Sequence, residues 1–382
     1  MLSASKISAL LGMLALFAVG APAAQATWTF KTGTMPTTTT QLAGVACTAS
    51  TFCLLAGSAS GGSSSAFAEG WNGTALSTLT PASTTSELYG VGCNSASLCL
   101  AVGTDYSSGA RPHVDTYNGS TWTGSTAVIP SGATFTALTG VSCPASNNCI
   151  AVGRYTASSI SQPLIEQWNG TTWSIKTLTL PSGTTSGGLD DISCTSASAC
   201  TAVGYYTTAT VHQALALRWN GTAWTSQAPV VPGSSTQSDF SGVSCISATV
   251  CHAVGSYVDP ITGQHALSEA WNGTAWGQRT VPDPSGGTDS ALADVSCYTT
   301  ASTGCIAVGG YTDTNGAVAP EAAVYNGTSW TLQPVTRPTG VSDASLAGVS
   351  CTSSTACLAD GLAVYDGSTG TTGVRPAVYA GP

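Results

Sequence analysis

The sequence predicts an all-β chain of seven similar, four-stranded units joined in a ring, and three observations carry that expectation. Fourteen cysteines fall in seven close pairs spread evenly along the chain. Each unit holds four strand-sized runs separated by Gly, Pro, Asn and Ser. The two ends of the chain each supply part of one unit, so the last unit is complete only when the first mature strand joins it.

The pairs are Cys47/Cys53, Cys93/Cys99, Cys143/Cys149, Cys194/Cys200, Cys245/Cys251, Cys297/Cys305 and Cys351/Cys357, and their first members lie 46, 50, 51, 51, 52 and 54 residues apart. Four strands per repeat, at a period of about fifty residues, mark a propeller blade. The expectation is a single seven-bladed β-propeller over residues 27–382, each blade a four-stranded antiparallel sheet, with blades beginning near 42, 88, 138, 189, 240, 292 and 346. One unit reads Leu138-Thr-Gly-Val-Ser-Cys143, a short turn, Cys149-Ile-Ala-Val-Gly-Arg-Tyr155, a loop, and then Leu164-Ile-Glu-Gln-Trp168-Asn-Gly-Thr-Thr-Trp173-Ser-Ile-Lys176. Helices are excluded because no unit offers about ten residues at helical spacing free of Gly, Pro or clustered Thr and Ser. Asn-Gly at Asn118, Asn169, Asn220, Asn272 and Asn326 predicts a tight hairpin turn with positive backbone angles. The aromatics that flank it, such as Trp168 and Trp173 or Trp219 and Trp224, are spaced to meet across that hairpin. With strands named a to d from the axis outward, each cysteine pair ties a to b at their shared turn.

The final unit stops at Ala377-Val-Tyr379-Ala-Gly381, which matches a third strand and its turn. Thr27-Trp28-Thr-Phe-Lys31 matches Thr172-Trp173-Ser-Ile-Lys176, so residues 27–41 are expected to supply outer strand d of blade 7 and to hide sheet edges that would otherwise be unpaired. Ahead of them, Lys6, the apolar run from Ala9 to Gly20 and Ala24-Gln25-Ala26 read as a signal peptide over residues 1–26. The apolar run is shorter than the ~20 residues a membrane helix needs. A secreted, extracellular protein is expected.

Charge narrows the function classes. Removing Lys6 leaves 8 cations against 18 acids, a formal charge of −10. Nucleic acid is excluded as a partner, since polyphosphate binding needs clustered Lys and Arg and here the cations are scattered singly. In an exported chain, paired cysteines read as disulfides. A metal reading wants neighbouring His or a C-x2-C spacing, and only His252 adjoins a cysteine.

The run L-x-G-V-S-C, C-x-A-V-G, W-N-G-T-x-W resembles the blade grammar of sialidase (BNR or Asp-box) and photosystem II assembly factor-like propellers, and is most similar to uncharacterised secreted actinobacterial repeat proteins. The Asp-box pattern S-x-D-x-G-x-x-W is not met: Asn stands for Asp, and the preceding residue is Trp or Tyr. The resemblance implies a fold, and it implies that the b–c hairpins and d–a linkers share the face, here called the top, that holds the site. A sialidase-like activity would further need an arginine cluster to clamp a carboxylate. Arg111, Arg154 and Arg375 fall near the top, but in blades 2, 3 and 7, and no nucleophilic Tyr/Glu pair can be assigned from the sequence.

Two recurring sets are candidates for binding. Tyr106, Tyr155, Tyr206, Tyr257 and Tyr311 follow the A-V-G run, and Glu87, Asp190, Asp239, Asp289 and Asp343 precede or open strand a. Tyrosine rings cover apolar sugar faces while carboxylates accept from hydroxyls, so the sets fit a glycan or cell-surface polymer. The same residues also fit packing between blades and capping of turns. Glu69, Asp115, Glu166 and Glu269 recur two residues before the aromatic of strand c, which favours a structural role at the blade interface. The four histidines do not align in the repeat, so no catalytic triad is proposed. Asp313-Thr-Asn-Gly316 offers oxygen donors for calcium, and a turn explains the same residues. The expectation is a monomeric binding module without a resident cofactor, for glycans or for an extracellular protein, with a sialidase-like hydrolase or lyase as the enzymatic alternative.

Overall fold

The computed structural model describes residues 28–31, 39–60, 64–299, 303–366, 368 and 372–381. The signal-peptide reading of residues 1–26 lies outside the described residues. Every regular element among the described residues is a β-strand, and each blade is an antiparallel sheet, as in blade 1 with a Thr39–Ala49, b Phe52–Ser60, c Ser64–Trp71 and d Leu76–Leu79. The later inner strands are Ser86–Ser95, Ala133–Ala145, Ser186–Ser196, Gln237–Ser247, Thr288–Thr299 and Val341–Ser353. Strand a of blade 1 therefore takes Thr39 to Gln41, residues that the sequence had assigned to the outer strand of blade 7. Blade 4 departs from the four-stranded plan: Leu178–Thr179 of its incoming linker pairs parallel to strand d, Trp224–Gln227.

The core lies between blades. Leu100, Val102 and Val114 of blade 2 pack on Leu138, Val141 and Leu164 of blade 3, and Ile150, Val152 and Ile165 of blade 3 pack on Leu189, Leu215 and Trp224 of blade 4. The serine of G-V-S-C joins neighbouring inner strands. Ser142, Ser193, Ser244, Ser296 and Ser350 each accept the backbone N–H of the first cysteine in the next blade, at 2.9–3.0 Å. The last of these runs from blade 7 to Cys47 of blade 1, where Leu358 and Val378 also pack with Leu42, Leu55 and Trp71.

All seven disulfides form within their a–b hairpins. They fit an oxidising, extracellular environment. Their place in the packing differs from that of a clasp on an exposed turn. The second cysteine of each pair opens strand b and points into the core: Cys99, Cys149, Cys200, Cys251 and Cys305 are at most 1% exposed, and Cys53 and Cys357 are also buried. Cys149, Cys200, Cys251 and Cys305 each join the apolar cluster between two blades, beside Leu138, Leu189, Phe240 and Leu292 respectively. These half-cystines are therefore core residues as well as staples, because strand b is covered on both faces by the neighbouring blades.

Thr29–Lys31 pairs antiparallel with strand c of blade 7, Thr372–Ala380, in the register Thr29 to Ala380, Phe30 to Tyr379 and Lys31 to Val378. Trp28 is buried, donates Nε1–H to Gln333 Oε1 at 3.1 Å and lies against Gly381. No helix among the described residues is long and apolar enough to cross a membrane.

The Asn-Gly turns are wider than the expected tight hairpin turn, with fewer positive backbone angles. Only the glycine has positive φ, 94–97° in Gly73, Gly119, Gly170, Gly221, Gly273 and Gly327, and the loop spans four residues, with Trp71 paired to Leu76 in blade 1. The reason is the Asn side chain, whose Oδ1 accepts the N–H groups two and three residues on, as Asn169 does from Thr171 and Thr172, both at 2.9 Å. These turns pack on the cysteine hairpins: Trp71 and Trp219 donate Nε1–H to Ser50 O and Ala197 O. The cysteine and Asn-Gly turns thus share one face, the bottom.

Candidate functional site at the channel mouth

Each inner strand carries a β-bulge at the same place, between Leu42 and Gly44 in blade 1 and at the corresponding steps of the other six. The cause is legible on strand b, where the glycine of A-V-G faces the bulge. A Cβ on Gly103 or Gly153 would collide with the carbonyl oxygen of Glu87 or Ala137. The extra residue of a bulge is freed from the ladder. Here those residues, Ala43, Tyr89, Thr139, Asp190, Ser241, Ala293 and Ala347, come from all seven blades and line one central hollow of about 110 Å³.

Blade 2 supplies the polar cluster at the mouth of this channel. Tyr89 Oη donates to Glu87 Oε2 at 2.5 Å, Tyr106 Oη donates to the same oxygen at 3.3 Å, and the two phenol oxygens are 3.2 Å apart. Burial, with the Glu87 hydrogen bond adding, pushes the Tyr89 phenol well above its usual range. Tyr106 remains 43% exposed. The sequence singled out Glu87 and Tyr106 but missed Tyr89; its signal was the bulky polar residue at the one inner-strand position where most blades keep Ala, Ser or Thr.

Across the mouth, burial pushes Asp190 up to about 7, with the charge of Arg154 in blade 3 opposing and those of Asp239 and Asp191 adding. Burial also raises Asp239, against the charge of His212 and a hydrogen bond from Ser256 Oγ at 3.3 Å. Asp190 thus lines the hollow with Tyr89, Glu87 and Tyr106 join it through Tyr89, and Arg154 and Asp239 act on Asp190 by charge. A second, open hollow of about 430 Å³ lies over blades 5 to 7, where Tyr311 and Asp289 join Ser241 and Val318. Asp289 has φ +55°.

The remaining candidates are spent on structure. Tyr155 and Tyr257 pack against the interblade clusters; Tyr206 does so too and donates Oη to Gln213 Oε1 at 2.7 Å, while Tyr257 stacks on His265 with centroids 5.3 Å apart. Five tyrosines therefore do not form one binding arc, because three of them fill gaps between blades. Asp343 accepts the N–H of Val318 at 2.9 Å and holds the b–c hairpin of blade 6. Arg111 is exposed at the start of strand c in blade 2, Arg154 serves Asp190, and Arg375 sits beside Tyr365 in blade 7, so each arginine answers to a different neighbourhood. Asp313 Oδ1 accepts Asn315 N–H at 2.8 Å and Ala317 N–H at 3.1 Å, and its Oδ2 pairs with Arg337 at 2.5 Å. Among the described residues no three His, Cys, Asp or Glu side chains group as metal ligands.

The strand-c acids pin incoming linkers. Glu166 accepts Val128 N–H at 2.7 Å, Glu269 accepts Val230 N–H at 2.9 Å, and Asp115 accepts Ala82 N–H at 3.1 Å. Glu321, displaced by two positions from that pattern and absent from the sequence reading, accepts Ser290 Oγ–H at 2.7 Å. Burial raises Glu69, Glu166, Glu269 and Glu321 to about 7. Three further acids stand where the inner strands meet. Asp191 and Asp294 replace the Gly of L-x-G-V and accept Val243 N–H and Val349 N–H from the next inner strand, both at 2.8 Å. Asp360, fully buried, replaces the Val of A-V-G and fills the space between Gly348 and Gly44.

No family model matches the sequence, and no curated protein matches it. Solved structures do. A polysaccharide lyase of family PL25, an ulvan lyase bound to -[GlcA(1-4)Rha3S]-, matches with a TM-score of 0.55 and 10% identity over 85% of this chain and 89% of its own. The six-bladed fucose-recognising lectin of the fungus Aleuria aurantia matches with a TM-score of 0.47 and 12% identity, over 74% and 89%. YCF48 bound to D1 peptide matches with a TM-score of 0.49 and 11% identity, over 92% and 96%. The fold is that of a β-propeller.

Proposed function

We propose that this protein is a secreted glycan-binding propeller whose site is the mouth of the central channel on the top face. The observation that carries the reading is the Glu87, Tyr89 and Tyr106 cluster. One carboxylate organises two phenols, one of them keeps an exposed ring for an apolar sugar face, and Asp190 and Ser241 offer a carboxyl and a hydroxyl in the adjoining hollow. A propeller that holds a polysaccharide shares the fold, which supports the architecture. The test is a glycan array and polysaccharide pull-down with wild type, Tyr106→Ala and Glu87→Gln. Retention of one glycan class by wild type and its loss in both variants is expected. No retention on any glycan sinks the reading.

A second reading, cleavage of a glycosidic bond at the same mouth, draws on the Tyr89–Glu87 contact and on Asp190, which lines the same hollow and holds its proton near neutrality. Release of reducing sugar or of unsaturated product by wild type, abolished in Tyr89→Phe, supports it. Turnover unchanged in Tyr89→Phe removes it.

A further inference from the structure

The hollow that all seven blades line is one-sided in charge. Among the described residues that line it, Asp190, Asp191 and Asp294 are acidic and none is Lys, Arg or His. Asp191 and Asp294 stand one residue further down their inner strands than Asp190 and Ala293. Both are held by backbone amides, Val243 N–H on the first and Val295 and Val349 N–H on the second. Asp190 is held by nothing comparable. Among the described residues its carboxyl accepts no hydrogen bond and forms no ion pair, and Arg154 reaches it only as a charge at longer range. A largely buried carboxyl without a partner, on the wall of a hollow, is a place for a donor from a ligand.

Burial raises the pKa of each of these carboxyls, and repulsion adds at two of them: Asp191 and Asp360 act on Asp294, and Asp239 and Asp191 act on Asp190 against Arg154. A sugar hydroxyl in the hollow supplies a hydrogen bond and leaves that repulsion standing, whereas a cation relieves it. A metal ion calls for a shell of oxygens, and no three acidic side chains among the described residues group as ligands. An ammonium calls only for acceptors around three N–H groups. The hollow of about 110 Å³ admits a substituent of that size. Tyr106, exposed at the mouth and joined to the hollow through Tyr89, offers its ring to the sugar. Resting on the glycan reading above, we infer that the mouth selects a glycan of amino sugars with free amines, the ammonium of one unit pairing with Asp190. N-acetylation removes the charge, and uronic or sulfated sugars bring like charge to the carboxyls, so these glycans bind less well.

The test is a glycan array that carries gluco- and galacto-configured oligosaccharides in free-amine, N-acetylated, neutral, uronic and sulfated forms. Calorimetry follows on the matched free-amine and N-acetylated trimers of the configuration the array retains. The free-amine trimer is expected to bind about tenfold more tightly than its N-acetylated counterpart, and trilysine, which has the charge without the sugar, is expected not to bind. Raising salt from about 0.05 to about 0.5 M is expected to weaken binding of the free-amine trimer and to leave the N-acetylated one unchanged. Asp190→Asn is expected to bring the free-amine trimer to the affinity of the N-acetylated one, while Tyr106→Ala weakens both. Thermal unfolding checks that each variant folds, and the wild-type comparison of the two trimers stands without any variant. Equal affinity of wild type for the two trimers, or a preference for the amine that survives in folded Asp190→Asn, overturns the inference and leaves the glycan reading intact. An array on which no glycan is retained overturns both.

Discussion

Tyr106 and Tyr155 both follow the A-V-G glycine, but by three residues in one case and two in the other. Side chains alternate along a strand, so an offset of one changes which way the ring faces. Tyr155 packs between blades, whereas Tyr106 leaves the strand and meets Glu87. The same logic separates Asp343, which holds a hairpin, from Glu87, which organises the mouth. At this scale Tyr106→Ala is expected to weaken glycan binding by about 1 kcal/mol, roughly fivefold, with unchanged thermal unfolding, read by calorimetry on whichever glycan the array identifies. Trp28→Ala is a structural counterpart. Its buried indole carries a hydrogen bond and lies against Gly381, and its loss is expected to cost about 3–5 kcal/mol in denaturant unfolding.

The a–b hairpin is the best-determined element. The close cysteine spacing, the serine that reaches the next inner strand and the glycine that faces the bulge are each visible in L-x-G-V-S-C and C-x-A-V-G, because each acts within a few residues or on an identical neighbour. The burial of Cys200, Cys251 and Cys305 was not visible in the same way, since it depends on the blade packed against them. Replacing Cys93 and Cys99 together by Ser is expected to lower stability by about 2 kcal/mol in the loop-entropy picture, with the fold retained, as judged by circular dichroism. The outer strand of blade 7 is different in kind, since its partner lies at the other end of the chain. Deleting Trp28 to Lys31 exposes an edge of strand c, and amide exchange is expected to speed first in Thr372–Ala380. Exchange that stays uniform across the blades counts against this. The turn chemistry was only half legible: Asn-Gly marked the place, but the Asn side chain, by accepting two amides, made a four-residue loop with one positive φ.

For the whole molecule, buried carboxyls set the response to pH. Glu69, Glu166, Glu269, Glu321, Asp190 and Asp360 are raised to about 7, Asp191 to about 6, and Asp294 well above its usual value, in each case chiefly by burial. Between the unfolded values near 4 and these native values, the native state binds more protons than the unfolded chain, so stability falls as pH rises. The contribution is full below about pH 4 and lost by about pH 7. His252, lowered to about 4 by burial, works the other way between about pH 6.5 and pH 4, but it is one group against nine, since burial raises Asp239 as well. The expected result is a thermal midpoint several degrees higher at about pH 5 than at about pH 8. A midpoint that rises steadily from acid to pH 8 contradicts it.

Sequence alone determined the repeat, the disulfide pairing, the strand content and the joining of the two chain ends, because these depend on a period and on near neighbours. Tertiary structure decided which of the candidate residues meet. Tyr89 and Asp190 are about a hundred residues apart in sequence and sit at equivalent positions of different blades. What makes them neighbours is a bulge in every inner strand, which turns one side chain per blade toward a shared axis. Seven blades of one grammar look alike in sequence, and only their arrangement about that axis distinguishes a side chain that faces the channel from one that fills the gap between blades.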